Sequence, residues 1–163
     1  MQDCTLELAR CADARPLAQM SQELIEAGLR PSWSAARIAW HIRHPESIVL
    51  TARPPGGIAG FAIMRYGEEL AHLNLLAVLP AYQRQGIARR MMIWLEDTAI
   101  TAGTFTVSLE LRARNLIAYT FYRSMGYREA GRLSGYYQGV EPAIRMVRDL
   151  RVMADNHTSS AGD

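Results

Sequence analysis

"AYQRQGIARRMM", Ala81–Met92, gathers two glutamines, three arginines and one glycine in a turn that runs straight into an apolar helix. It follows the apolar run "LNLLAV", Leu73–Val78, and then Pro80, which ends a strand because proline has no N–H to give to a sheet ladder. In a strand, glycine turn and helix of this kind, the first N–H groups of the helix have no acceptor within it. The macrodipole adds about half a positive charge at the same end. An anion such as phosphate fits there. Gly86 lets the backbone approach such a group, Ala88 is nearly as small, and Arg84, Arg89 and Arg90 stand at the rim. The turn is neither of the familiar nucleotide loops, because G-x-x-x-x-G-K-[ST] is absent and a dinucleotide fingerprint would have three glycines. Taken alone, it reads first as an ordinary surface helix start.

The segments on either side make this turn part of an α/β domain. "TLELA" reads as a first strand. Asp13–Gly28 carries Leu17, Met20, Leu24 and Ile25 at helical spacing and ends on glycine. Ser34 caps a short second helix holding Ile38 and Ile42. "SIVLTAR", "GIAGFAIMRYG" and "ELAHLNLLAVL" are three strands, the first two joined by the turn Pro54-Pro55-Gly56-Gly57. From Gly86 to Ala102 a helix puts Met91, Met92, Leu95 and Ala99 on one face. "FTVSLELRA" is the next strand. Asn115 caps a helix with the apolar face Ala118, Phe121, Tyr122 and Met125, stopped by Gly126. "YREAGRL" and "PAIRMVRDL" close the domain. The expected fold is a single α/β domain over 1–150: a central mixed, mostly antiparallel sheet of about seven strands with helices on both faces. The polar stretch 151–163 is expected to be a flexible tail.

Composition sets the outer limits. A chain of 163 residues with 49% apolar and 21% charged residues is long enough for one globular core. Eighteen basic residues against sixteen acidic ones leave a net charge of +2, too balanced for nucleic acid to be the main partner. Every one of those basic residues is arginine, since the sequence contains no lysine. Cys4 and Cys11 lack metal-ligand spacing and read as a reduced structural pair, as in a cytoplasmic protein. Neither a signal peptide nor an apolar run of ~18 residues is evident, so no membrane partner is expected. Asn156-His157-Thr158 matches a glycosylation acceptor by chance. Oligomeric state is not legible.

With the order of these elements in place, the motifs resemble the GNAT acetyltransferases. "QRQGIA", Gln83–Ala88, is similar to that family's Q/R-x-x-G-x-G/A signature, and "LELRARNLIAYTFYRSMGYREAGRLSGYY" resembles the family's second half. The likeness covers about Ala71 to Val147 and is nearest to the RimI-like branch of N-terminal acetyltransferases that modify ribosomal proteins. It implies acetyl-CoA as cofactor. The pyrophosphate would lie on the backbone of Arg84, Gln85, Gly86, Ile87, Ala88 and Arg89. The pantetheine arm would pair with the backbone of Leu76, Ala77 and Val78, and Asn115 would lie near the thioester. Ala88 replaces a glycine common in relatives, which the signature allows. Leu79 and Ala81 stand where relatives often carry acidic residues.

Acetyl transfer needs a neutral amine, a stabilised carbonyl oxygen and a protonated leaving thiolate. Alternation in "VSLELR" puts Ser108, Glu110 and Arg112 on one strand face. By periodicity alone Glu110 is a solvated carboxylate; by resemblance it is the base that takes the amine proton, directly or through water. Tyr122 reads either as a core tyrosine or, by resemblance, as the acid that protonates the cofactor sulfur, with Tyr119 as fallback. An α-amine, with a pKa of ~7.7–8.0, is partly neutral at physiological pH, whereas lysine at ~10.4 is about a thousandfold protonated. This favours the N-terminal α-amine of a protein or peptide as acceptor. A small amine and a non-catalytic acyl-CoA-binding module stay open. Trp33, Tyr136 and Tyr137 are either peptide-flanking rings or half-buried rim residues.

Overall fold

The computed structural model describes residues 3–139 and 141–151, so the expected tail beyond residue 151 lies outside the described residues, as does the Asn156-His157-Thr158 match. The described residues form seven strands and four α-helices. They are β1 (Thr5–Leu8), α1 (Ala14–Leu24), α2 (Ala35–Arg43), β2 (Ser47–Arg53), β3 (Gly60–Tyr66), β4 (Ala71–Val78), α3 (Ile87–Thr101), β5 (Thr106–Arg112), α4 (Leu116–Ser124), β6 (Arg128–Tyr137) and β7 (Glu141–Asp149). The sheet order is β1-β2-β3-β4-β5-β7-β6, which bears out the expected seven-stranded α/β fold. No helix among the described residues is long and apolar enough to cross a membrane.

The chain forms two compact units, the first made of residues up to Arg65 together with Leu73–Leu95. Here β1 and β2 pair antiparallel with Thr5 opposite Arg53, and β2 and β3 pair antiparallel with Ser47 opposite Arg65. The β2–β3 turn has Pro55 before Gly56, whose φ of 85° is the left-handed value a type II turn needs at that place. Leu17, Ile38, Phe61 and Ile63 are completely buried in a core that also takes in Val49, Leu75 and Trp33. Along β4 the residues Leu73, Leu75 and Ala77 are buried and alternate with half-buried Asn74, Leu76 and Val78. Gly60 permits this packing, because a Cβ there would stand 2.7 Å from the carbonyl oxygen of Ala77.

The first helix is shorter than its apolar spacing suggests. It ends at Leu24 rather than near Gly28. The Ser21 carbonyl accepts from both Ile25 and Glu26, and the buried Glu26 carboxylate then captures the chain further on. One Glu26 oxygen accepts from the Ser32 N–H at 2.7 Å, the Ser32 hydroxyl at 2.6 Å and the Trp33 N–H at 3.2 Å; the other accepts from Ser21 Oγ at 3.3 Å. Four donors on one carboxylate outweigh continuation of the helix. Ser34 caps α2 as expected, accepting from the Arg37 N–H at 3.1 Å.

The second unit comprises Tyr66–His72 and the chain from Glu96 onward. Antiparallel pairing of β5 with β7 sets Glu110 directly opposite Arg145. β6 and β7 pair with two register shifts, between Glu129 and Gly131 and between Leu133 and Tyr137. β6 runs on through Tyr136 and Tyr137, which therefore belong to a strand and not to the connecting loop. Left-handed Gln138 and Gly139, at φ 57° and 73°, begin the reversal to β7. In the interior, Glu96 Oε2 accepts from the Tyr127 hydroxyl at 2.9 Å and Arg148 Nη1 at 3.0 Å. Burial nevertheless holds the Glu96 carboxyl above the usual range, against the opposing pull of Arg148 and Tyr127.

Candidate active site

In the first unit, the segment between β4 and α3 has the backbone that an anion site needs. Pro80–Tyr82 forms a single 3-10 turn, and Gln83 folds its side-chain amide back to donate to the Val78 carbonyl at 3.0 Å. Arg84 and Gly86 both take left-handed backbone conformations, with φ 63° and 78°. For Arg84 that conformation costs about 1–2 kcal/mol, a strain found where a loop's path serves a ligand. The first helical bond of α3 runs from Arg90 N–H to Gly86 C=O, so the N–H groups of Ile87, Ala88 and Arg89 precede the helical ladder. Ile87 is buried and fixes the helix start, while Gln83, Arg84, Gln85, Gly86 and Arg89 are exposed. A Cβ on Gly86 would meet nothing within 4 Å. The space is open where a side chain would otherwise stand, and the residues present fit a phosphate group.

In the second unit, Glu110 is central. Its side chain is only 8% exposed and both oxygens are engaged. Oε2 meets His72 Nε2 at 2.5 Å, and Oε1 accepts from Arg145 Nε at 3.0 Å. Burial pushes the carboxyl up, but hydrogen bonds and charge from His72 and then Arg145 together outweigh it and hold Glu110 below the usual carboxylate range. Neither His72 nor Arg145 is among the residues singled out in the sequence. Tyr136 and Tyr137 stand within the field of Glu110. Burial first, then that negative charge, raises the Tyr136 hydroxyl, and burial, Tyr136 and Glu110 together raise that of Tyr137.

Tyr122 is buried on α4, its ring 5.1 Å from Phe121 and 5.7 Å from Tyr127 between centroids. Burial, reinforced by Tyr137, pushes its phenol up, so it keeps its proton throughout the neutral range. Tyr119 is committed elsewhere, its hydroxyl donating to Glu129 at 3.2 Å. Asn115 caps α4 as expected, with Oδ1 accepting from the Ala118 N–H at 3.1 Å, so its amide N–H₂ end is the part suited to a ligand acceptor.

Trp33 is part of the core, 9% exposed, with the Arg37 guanidinium 3.7 Å from its ring centroid. It is therefore no peptide-flanking surface. Tyr136, at 46% exposure, remains available for that role. A Ser–His contact does occur, His41 Nδ1 to Ser47 Oγ at 2.9 Å, but both side chains are buried. Burial, with Arg37, Arg65 and His44, lowers the His41 pKa to about 4, as suits a neutral core histidine. Cys4 and Cys11 are both free thiols. No group of metal-ligating side chains occurs among the described residues.

Residues 15–127 match the family model described as acetyltransferase (GNAT) family. The [ribosomal protein bS18]-alanine N-acetyltransferase of Escherichia coli is 40% identical over 94 residues, 56% of this chain and 64% of the relative. The matched stretch thus spans less than two thirds of that enzyme. An uncharacterized N-acetyltransferase of Mycobacterium bovis is 31% identical over 158 residues, 92% of this chain and 99% of the relative. Among solved structures, the E. coli ribosomal-protein-S18-alanine N-acetyltransferase superposes with a TM-score of 0.78 at 30% identity, covering 91% of this chain and 94% of that one. Arabidopsis thaliana NAA60, solved in complex with acetyl-CoA, shares the fold with a TM-score of 0.78 at 19% identity, covering 91% and 99%.

Proposed function

Because the chain belongs to the GNAT acetyltransferase family, we propose that it transfers the acetyl group of acetyl-CoA directly to the N-terminal α-amine of a protein or peptide. One observation carries the donor half: the left-handed, unobstructed turn at Gly86 leads into the first N–H groups of α3. The backbone of Arg84, Gln85, Gly86, Ile87, Ala88 and Arg89 would hold the pyrophosphate. Leu76, Ala77 and Val78 would take the pantetheine arm along β4, and Asn115 would lie near the thioester. The acceptor half draws on the likeness to an enzyme that acts on the alanine of bS18. The reading places the reaction in the cytoplasm.

Bound acetyl-CoA supplies an acyl group already activated as a thioester, so the chain needs no covalent nucleophile of its own. Glu110 stands on the base side. It is an ionised carboxylate, buried and fixed by two partners, and it draws the proton from the attacking amine. Tyr122 keeps its phenolic proton at neutral pH and gives it to the departing sulfur.

The test is a panel of peptides with different first residues, set beside small amines and lysine-bearing peptides, with free thiol released from acetyl-CoA as the readout. Turnover on α-amino peptides is expected. Turnover of small amines with none on peptides would overturn the acceptor assignment. Calorimetric binding of acetyl-CoA without transfer to any amine would make the chain an acyl-CoA-binding module.

A further inference from the structure

The turn that ends α4 ties Tyr122 to Tyr127. Gly126, left-handed at φ 96°, donates its N–H to the Arg123 carbonyl at 3.0 Å, and the Tyr127 N–H donates to the Tyr122 carbonyl at 3.0 Å. Two such bonds make a helix stop in which the residue after the glycine folds back onto the last turn. Tyr127 accordingly meets Tyr122 edge-on, with ring centroids 5.7 Å apart and planes at 72°. Any apolar side chain at 127 would complete such a stop. Tyr127 does more. It is buried, and its hydroxyl donates to Glu96 Oε2 at 2.9 Å, an oxygen that also accepts from Arg148 Nη1 at 3.0 Å.

We propose that Tyr127 is a positioning residue for Tyr122: tethered at its hydroxyl by Glu96 and Arg148, it holds the Tyr122 phenol in the direction that proton transfer to the departing sulfur needs. This rests on the reading of Tyr122 as the acid, given above. The described contacts of the Tyr122 ring are two other rings, Phe121 at 5.1 Å and Tyr127 at 5.7 Å. Phe121 precedes Tyr122 on the same helix and moves with it. Tyr127 is held from outside that helix, through Glu96 on α3 and Arg148 on β7. An edge-to-face ring pair is by itself a soft restraint. A hydrogen bond to a carboxylate that is paired with a guanidinium is stronger and directional, and it stiffens the ring that Tyr122 rests against.

For a helix stop alone the arrangement is costly. Glu96 is buried, and its Oε1 has no hydrogen-bond partner among the described residues, so the carboxyl group is only half satisfied. Phenylalanine at 127, with apolar residues at 96 and 148, would close the same turn without burying a carboxylate. Gly126 keeps room for the guanidinium, since a Cβ there would stand 3.2 Å from Arg148 Nε. What the buried pair contributes is a fixed direction for the Tyr127 ring.

Two measurements on the full chain decide the matter, and the first needs no acetyl-CoA. With labelled tyrosine, the Tyr122 ring signals are compared by NMR between wild type and Tyr127→Phe. Phenylalanine keeps the ring and its ring current, so a displaced or broadened Tyr122 signal reports a ring that has lost its direction. An unchanged signal would overturn the tether. The second is a kinetic double-mutant cycle. Tyr127→Phe is expected to lower kcat about tenfold, with calorimetric acetyl-CoA affinity unchanged. In a Tyr122→Phe background the same change should cost nothing further, whereas a merely structural role would cost as much in both backgrounds. Glu96→Gln, which keeps an acceptor for the Tyr127 hydroxyl, should lose less than Glu96→Leu. Equal losses in the two backgrounds would overturn the positioning role while leaving the acetyltransferase reading standing. Wild-type kcat in Tyr122→Phe would overturn the acid assignment and this inference together. Absence of transfer by the wild type would overturn the acetyltransferase reading and this inference with it.

Discussion

Gln83 donates its side-chain amide to the carbonyl of Val78 at 3.0 Å, tying the turn ahead of α3 back to the last residue of β4. The bond spans five residues and fixes the path that brings Arg84 and Gly86 into left-handed backbone. Replacing Gln83 with leucine removes one exposed hydrogen bond, worth about 1 kcal/mol. Acetyl-CoA affinity should fall roughly fivefold by calorimetry, with the thermal midpoint of the apo chain nearly unchanged.

Gly86 and Gly103 make a matched pair. Both have positive φ, 78° and 84°, both are exposed, and neither would place a Cβ within 4 Å of other atoms. Alanine at either costs about 1–2 kcal/mol of stability through the left-handed backbone alone. Only at Gly86 does the new methyl enter the space assigned to phosphate. Gly86→Ala should therefore weaken acetyl-CoA at least tenfold, and Gly86→Glu should abolish binding with the fold retained. Gly103→Ala should bind like wild type, and equal affinity in all of these variants would refute the phosphate placement.

At Gly60 the consequence is steric. An added Cβ would stand 2.7 Å from the Ala77 carbonyl oxygen and 3.2 Å from Val78 Cγ2, so backbone must move. Gly60→Ala should destabilise the chain by about 1–3 kcal/mol in urea unfolding. Because Ala77 and Val78 are the residues assigned to the pantetheine arm, affinity for acetyl-CoA should fall as well. A variant of unchanged stability would count against this tight approach.

The paired state of Glu110 predicts a pH dependence of stability. Its folded-state pKa lies below the ordinary carboxyl value of 4.5, so on acidification the unfolded chain takes up this proton first. The stabilising contribution is complete above 4.5 and is lost as the pH falls through the folded value. Glu110→Gln lacks it. The stability gap between wild type and variant, measured by urea unfolding, should be wide at about pH 7 and narrow progressively on acidification below the ordinary carboxyl range. A gap independent of pH would show that the carboxylate gains nothing from His72 and Arg145.

Elements set by local chemistry were legible in the sequence. β2 has the expected limits, Ser34 and Asn115 cap their helices, and Met91, Met92, Leu95 and Ala99 form the buried face of α3. What escaped depends on residues far apart in the chain. His72 looks like any half-buried position of an alternating strand until it meets Glu110, 38 residues later. Arg145 becomes recognisable only through the β5–β7 register. The early end of α1 follows from a carboxylate reaching six and seven residues ahead, which helical periodicity does not register. Trp33, a peptide-flanking or rim ring on its sequence alone, lies in the core because the chain around it is folded in by Glu26, whose side-chain oxygen accepts from the Trp33 N–H.

Glu26 separates two parts of its loop that can change at different rates. The carboxylate clamps Ser32 and Trp33 from within, while Ala27, Gly28, Arg30 and Pro31 lie outside the clamp and are exposed. The loop therefore combines a buried, clamped base with a solvent-facing tip. Glu26, more than the tip it holds in place, is the residue on which the shape of this loop depends.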